Sequence, residues 1–307
     1  MNPATLQTTH HRIVMLAENF YLVTAPNRSR FPYCNTFLFT GKKNVLIDAG
    51  LDPQTLAEID GQIRIDQLIF SHSHPDHMIS WHLLKDRFIA LPAETPEAVK
   101  DLHRLGRRFM GCEQKAGYWA EKLGQGLGLR PLREPDYRFS DGCVFDMGDF
   151  VLEAVHAPGH LNDHYVFFER KHGILLTGDI DFSSFGPFYG QPECDVERFK
   201  QSIDKVMALP YRMVCSSHKA PILGNAGPLF HRFLSGFEIH QEKIAAVCDF
   251  ALTLDQITAR SPLYQHRMPD KVFQHAFEKG MIQKSLPYLT RSGRLMKIGQ
   301  RYRRVDS

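Results

Sequence analysis

The sequence predicts an α/β domain followed by a small, mostly helical extension, and three observations carry that reading. Short β-rich runs separated by turn residues fill the first part of the chain. The compact run His72-Ser73-His74-Pro75-Asp76-His77 stands where one of those strands ends. After Pro228 the pattern changes to long stretches of helical periodicity.

Taken in order, the runs Phe20–Val23, Asn35–Thr40, Val45–Asp48 and Gln67–Phe70 read as strands. Gly41-Lys42-Lys43-Asn44 and Asp48-Ala49-Gly50 supply turns between them. A helix is expected after the histidine run and another near Ala93, and residues 94–127 read as a helical insertion on the surface, because their polar face is long. Strands resume at Cys143–Asp146, Phe150–His156, Tyr165–Phe168 and Ile174–Thr177. Asp195–Leu209 has Val196, Phe199, Ile203 and Val206 at helical spacing, and Met213–Cys215 is a last short strand. Residues 1–228 form the first unit on this reading and 229–307 the second. The second holds helices at Leu229–Phe250, Leu254–Arg260 and Val272–Leu289, the last disturbed by Pro287. Arg294–Ile298 and Arg301–Val305 flank the turn Gly299-Gln300 and make the end winged-helix-like.

Composition narrows the class. At 307 residues with 43% hydrophobic and 23% charged residues, the chain is ordinary for a globular protein. Its longest apolar runs fall far short of the ~20 residues a bilayer requires, so no membrane association is expected. Met1–Thr5 shows no charged segment leading into an apolar one, and the six cysteines are scattered without a framework spacing. Both features point to a reduced, cytoplasmic setting. The net charge of +3 is mild, but Lys284 to Arg304 holds basic residues and no acidic one. A solvated positive face is the simplest account of that run, and RNA binding the alternative.

Two imidazoles at i and i+2, a carboxylate at i+4 and an imidazole at i+5 cannot share one helix face. On a loop they can divide into His72/His74 and Asp76/His77 and serve two adjacent cations. Four residues are too few for two sites, so further ligands must come from downstream. Three later strands each lead into such a residue: His160 after Ala157-Pro158-Gly159, Asp179 after Gly178, and His218 after Ser216-Ser217.

This ordered set closely resembles the metallo-β-lactamase-fold superfamily, through Val45–Gly50, His72–His77, Pro158–His160, Thr177–Asp179 and Ser217-His218. The resemblance implies an αββα sandwich with the site along one edge. It implies that His72, His74 and His160 hold one metal and Asp76, His77 and His218 the other, with Asp179 between them. The cofactor implied is a pair of divalent cations, zinc first, with iron or manganese as alternatives. A hydroxide shared by such a pair is nucleophilic near neutral pH, and Asp76 would orient it as the catalytic carboxylate. Asp48 would support the histidine loop as a hydrogen-bond acceptor, with Asp163 in a supporting role and His164 structural.

The expected activity is hydrolysis of a small-molecule ester or thioester. A phosphodiesterase or endoribonuclease is the rival reading, and a metal-containing regulatory protein with little catalysis a third. The aromatic loop Phe182–Tyr189 follows Asp179 closely, making Phe185 and Tyr189 the expected substrate wall, while Lys219 could meet an anionic group. The helical end resembles additions on glyoxalase-II-like thioesterases and on RNA-cleaving members; a cap on the sandwich or a homodimer support is the plainer role.

Overall fold

The computed structural model describes residues 13–305; the Met1–Thr5 segment read for a leader lies outside them. Among the described residues, two sheets face each other. The first runs in sequence order through β1 (Ile13–Ala17), β2 (Phe20–Val23), β3 (Thr36–Phe39), β4 (Val45–Ile47), β5 (Gln67–Ile69), β6 (Phe88–Pro92) and β7 (Tyr137–Phe139). The second comprises β8 (Val144–Asp146), β9 (Val151–His156), β10 (Tyr165–Glu169), β11 (Ile174–Leu176), β12 (Met213–Cys215) and β13 (Ile222–Leu223), again as spatial neighbours.

Period-two alternation assigns the layers. Val45 and Ile47 of β4 point between the sheets, and so do Phe167 of β10 and Ile174 and Leu176 of β11. There they meet Phe20, Phe39 and Phe150. The alternate residues point outward: Leu46 and Leu68 pack under Leu56 and Ile59 of the Pro53–Ile63 helix, and Val166, Phe168 and Leu175 under Phe199 and Ile203. Helices therefore cover both outer faces, which makes the αββα sandwich.

Several expectations change in detail. The Pro53–Ile63 helix and strands β1, β6, β7 and β13 were not foreseen, so Met213–Cys215 is not the sandwich's last strand, although Asp52 as N-cap with Pro53 in the first turn is a start signal for the helix. Residues 94–127 are largely helical (Leu102–Met110 and Glu113–Glu121), but they are not a purely surface feature. Leu105, Phe109, Trp119 and Leu123 are buried in the core beneath the first sheet, because that outer face needs a cover as well as the Pro53–Ile63 helix. The Lys271–Arg291 helix runs through Pro287 rather than ending there; Ile282, Leu286 and Leu289 are buried and hold its course.

After Cys215 the chain adds the helices Gly227–Ala246, Leu254–Arg260 and Lys271–Arg291. A small sheet completes it, with β14 (Leu252–Thr253), β16 (Arg301–Arg304) and β15 (Leu295–Ile298) in that order. Phe230, Phe237, Met281 and Leu286 share one apolar cluster with Phe199 and Ile203, so the extension packs continuously on the second sheet's helix. Among the described residues no helix is long and apolar enough to cross a membrane.

Strand direction places the site. Strands β4 and β5 are parallel, as are β11 and β12. Their carboxyl ends, with that of β9, deliver Asp48, His72, Asp179, His218 and His160 to one edge of the sandwich.

Candidate metal centre

Local sequence sets each side chain. Beyond β5 the chain turns at His72–His74, and Pro75 opens a single helical turn, Pro75–Met78, that carries Asp76 and His77. His160 follows Gly159, whose φ is +122°; a Cβ there would lie 2.2 Å from the Phe199 backbone nitrogen. Asp179 follows Gly178, with φ +54°, where a Cβ would meet the His164 ring nitrogen at 2.7 Å. Only glycine fits either turn.

Five imidazoles converge, and their outer nitrogens are all engaged. His74 Nε2 lies 2.7 Å from Gln191 Oε1, His160 Nδ1 3.1 Å from the Phe188 carbonyl, and His77 Nδ1 2.8 Å from Asp48 Oδ2. His218 Nδ1 lies 2.5 Å from the Ser29 carbonyl. These partners only accept, so the ring nitrogens facing them carry the protons. His72 Nδ1 meets Ser71 Oγ at 3.0 Å, and that hydroxyl already donates to Asp48, so it accepts from the histidine. Each ring therefore turns its second nitrogen inward, where a bound cation would take the place of a proton.

Those inward nitrogens surround Asp179. Its Oδ2 lies 3.0 Å from His160 Nε2, 3.3 Å from His74 Nδ1 and 3.5 Å from His72 Nε2. Its Oδ1 lies 3.0 Å from His77 Nε2 and 3.3 Å from His218 Nε2. Asp76 Oδ2 stands 3.5 Å from His218 Nε2. The structure thus brings all seven expected residues together: His72, His74 and His160 form one nest and Asp76, His77 and His218 another, and Asp179 touches both.

The donor set fits divalent cations. His72 Nε2 and His160 Nε2 lie only 3.0 and 2.9 Å from His74 Nδ1, a crowding of nitrogens that needs a proton or a cation among them. Donors ~2.0–2.1 Å from a tetrahedral ion stand about 3.3 Å apart, so these spacings match a ligand shell. Nitrogen and carboxylate donors suit zinc, iron and manganese alike.

The surroundings lock the rings. Asp48 accepts from the Ser71 amide (2.8 Å), the Ser71 hydroxyl (2.8 Å) and His77, as expected of a support for the loop. His164 is buried; its Nδ1–H donates to the Ala157 carbonyl at 2.9 Å, and its Nε2 accepts from the Asp179 amide at 3.1 Å. Burial pushes its pKa down to about 3, so it stays neutral and holds the Asp179 turn. Asp163 is fully buried, bonded to Thr95 Oγ1 at 2.9 Å and to Arg108 at 3.2 Å.

Arg108, in the helical insertion, was not foreseen. Its guanidinium reaches Ser73 Oγ inside the histidine run at 2.5 Å, and also Asp163 and Glu193. Nothing in its local sequence, Arg107-Arg108-Phe109, marks it, because the contact is made across the fold. Gln191 was missed for the same reason.

An open cleft of about 990 Å³ borders the second nest. Asp76, His218, Asp181, Phe185 and Lys219 all line it. Phe185 therefore stands where a substrate wall was expected, its ring stacked on Tyr264 with centroids 4.9 Å apart. Tyr189 does not. It is fully buried, its hydroxyl 3.2 Å from Ser285 Oγ and its ring against Phe237, because the loop turns inward after Pro187.

Residues 30–218 match the family model described as "Metallo-beta-lactamase superfamily". A crystal structure of a metallo-beta-lactamase family protein from Thermus thermophilus superposes with a TM-score of 0.70 at 20% identity, covering 95% of this chain and 100% of that one. A hydroxyacylglutathione hydrolase of Francisella philomiragia is 26% identical over 124 residues, 40% of this chain and 49% of its own. The atrochrysone carboxyl ACP thioesterase AgnL7 of Paecilomyces divaricatus is 30% identical over 154 residues, 47% of this chain and 38% of its own. The chain thus spans about half or less of the length of these two curated relatives.

Proposed function

Because the chain belongs to the metallo-beta-lactamase superfamily, we propose that it is a dinuclear metal-dependent hydrolase of small esters or thioesters. One observation carries the reading: five inward imidazole nitrogens and both oxygens of Asp179 converge beside an open cleft. His72, His74 and His160 would hold one cation and Asp76, His77 and His218 the other, with Asp179 shared. Bound there, divalent cations supply a water acidic enough to ionise near neutral pH and polarise the acyl group under attack.

The chain's own residues do the rest. Asp76, between the nests and the cleft, accepts a hydrogen bond from the attacking water through a carboxylate oxygen and fixes its direction. Ser71 and Asp48 keep His72 and His77 in the tautomers that face inward. Phe185 offers an apolar surface to the acyl portion. Water adds to the carbonyl carbon, the C–S or C–O bond breaks, and a carboxylic acid leaves with a thiol or alcohol. The names of the two curated relatives favour the thioester. The cytoplasmic setting belongs to the same proposal.

The test is elemental analysis of the purified protein, followed by a panel of thioesters, lactones, phosphodiesters and RNA. The expected result is two divalent cations per chain, with thioester turnover that chelation removes and metal restores. Turnover confined to phosphodiesters or RNA, or a metal-loaded protein inert on every substrate, would overturn it.

A further inference from the structure

The cleft beside Asp76 and His218 has an unusual rim. Residues 26–29 enter it as a tight turn in which Asn27, Arg28 and Ser29 have φ of 53°, 57° and 54°. Three successive left-handed residues without glycine are strained. The turn persists because Ser29 is buried and held from several sides: its hydroxyl donates to Asn35 Oδ1 and accepts from the Ala25 amide, and its carbonyl accepts from His218. The turn therefore orients a residue of the candidate metal centre.

The same turn puts Arg28 and Arg30 on the cleft wall, and Lys219, next to His218 in the chain, lines the same cleft. All three side chains are exposed. Among the described residues none of the three makes an ion pair or a side-chain hydrogen bond, whereas Arg108 and Arg294 are both paired. The carboxylates lining the cleft, Asp76 and Asp181, lie towards the metal centre. Leu22, Phe31 and Phe185 make the remaining wall partly apolar. Three unpaired cations lining one cleft beside the candidate metal centre make its rim attractive to an anion.

We infer that the thiol half of the substrate carries an oxyanion, a phosphate or a carboxylate, received by Arg28, Arg30 and Lys219 while the thioester lies at Asp76 and His218. This rests on the thioesterase reading and deepens it by naming the charge of the leaving group. The turn joins both jobs in one element: its Ser29 carbonyl orients His218, and Arg28 and the following Arg30 line the cleft beside it.

The experiment measures binding, so it does not depend on turnover. Two matched pairs of probes are titrated against the metal-loaded protein: 4′-phosphopantetheine with pantetheine, and glutathione with its diethyl ester. In at least one pair the charged member is expected to bind about tenfold more tightly. The preferred pair identifies phosphate or carboxylate. The double variant Arg28→Ala/Arg30→Ala should reduce that preference at least about fivefold, and added salt should reduce it in the unaltered protein. Equal binding within both pairs, or a preference that survives the double variant, would overturn the inference. A protein that shows the preference but hydrolyses no thioester would instead defeat the thioesterase reading, leaving the anion edge standing.

Discussion

His72, His74 and His160 lie behind a wall of side chains, whereas Asp76 and His218 border the open cleft. On the closed side the three histidine side chains are at most 7% exposed, and Gln191, Phe188 and the Arg108 network stand behind them. On the open side the His218 side chain keeps 16% exposure, and a strained turn rather than a packed helix aims it. On the dinuclear proposal the difference would separate two jobs that share Asp179. A closed nest of three nitrogens favours tight, permanent metal retention, and an open nest with a carboxylate leaves room for water and substrate to enter.

The largest effect should come from the residue common to both sides. Asp179→Ala is expected to abolish hydrolysis, a loss of at least about a thousandfold in kcat/KM, while circular dichroism stays native. Full activity of that variant without metal would end the metal-dependent account. Next, the two sides should separate: His160→Ala should lose tightly held metal, and His218→Ala should retain one cation per chain while losing most turnover. Equal metal content in the two variants, read by elemental analysis, would break the contrast between closed and open nests.

The wall behind the closed side was the least legible part of the sequence. The seven converging residues could be read because each follows a strand, and a strand's carboxyl end is a position that local pattern reveals. The support for Asp179 was half legible: His164 stood out as structural, but its bond to the Asp179 amide depends on the Gly178 turn. Arg108 and Gln191 could not be read at all. They meet Ser73 and His74 across 35 and 117 residues of chain, and a contact between distant residues leaves no periodicity in either segment. The same limit applies to 94–127, where the polar outer face is legible and the buried inner one, which meets distant parts of the chain, is not.

Arg108 gives the comparison a stability measure. Burial alone would raise the Asp163 carboxyl, but Arg108, with bonds from Ser73 and Thr95, holds it below its usual range. A depressed carboxylate contributes stability above its unfolded value of about 3.9, and loses that contribution as pH falls through its folded value. Arg108→Ala strands the buried carboxylate, at a cost of about 3 kcal/mol at pH 7. Urea unfolding should show that deficit shrinking as pH is lowered towards 4, where the stranded group takes up a proton. A deficit independent of pH would mean that Arg108 acts by packing alone.

The smallest effect tests where the aromatic loop divides. Phe185 faces the cleft and Tyr189 lies in the core, four residues apart on one loop. Tyr189→Phe removes a hydroxyl whose partner, Ser285, also donates to the Met281 carbonyl at 2.9 Å, so little is left unsatisfied. The expected cost is about 1 kcal/mol of stability with KM unchanged. Phe185→Ala, by contrast, strips apolar surface from the cleft wall and should raise KM by about tenfold for an acyl group that rests there. If Tyr189→Phe raised KM as much as Phe185→Ala, the loop would reach the substrate along its whole length, and the inward turn after Pro187 would not be the boundary between site and core.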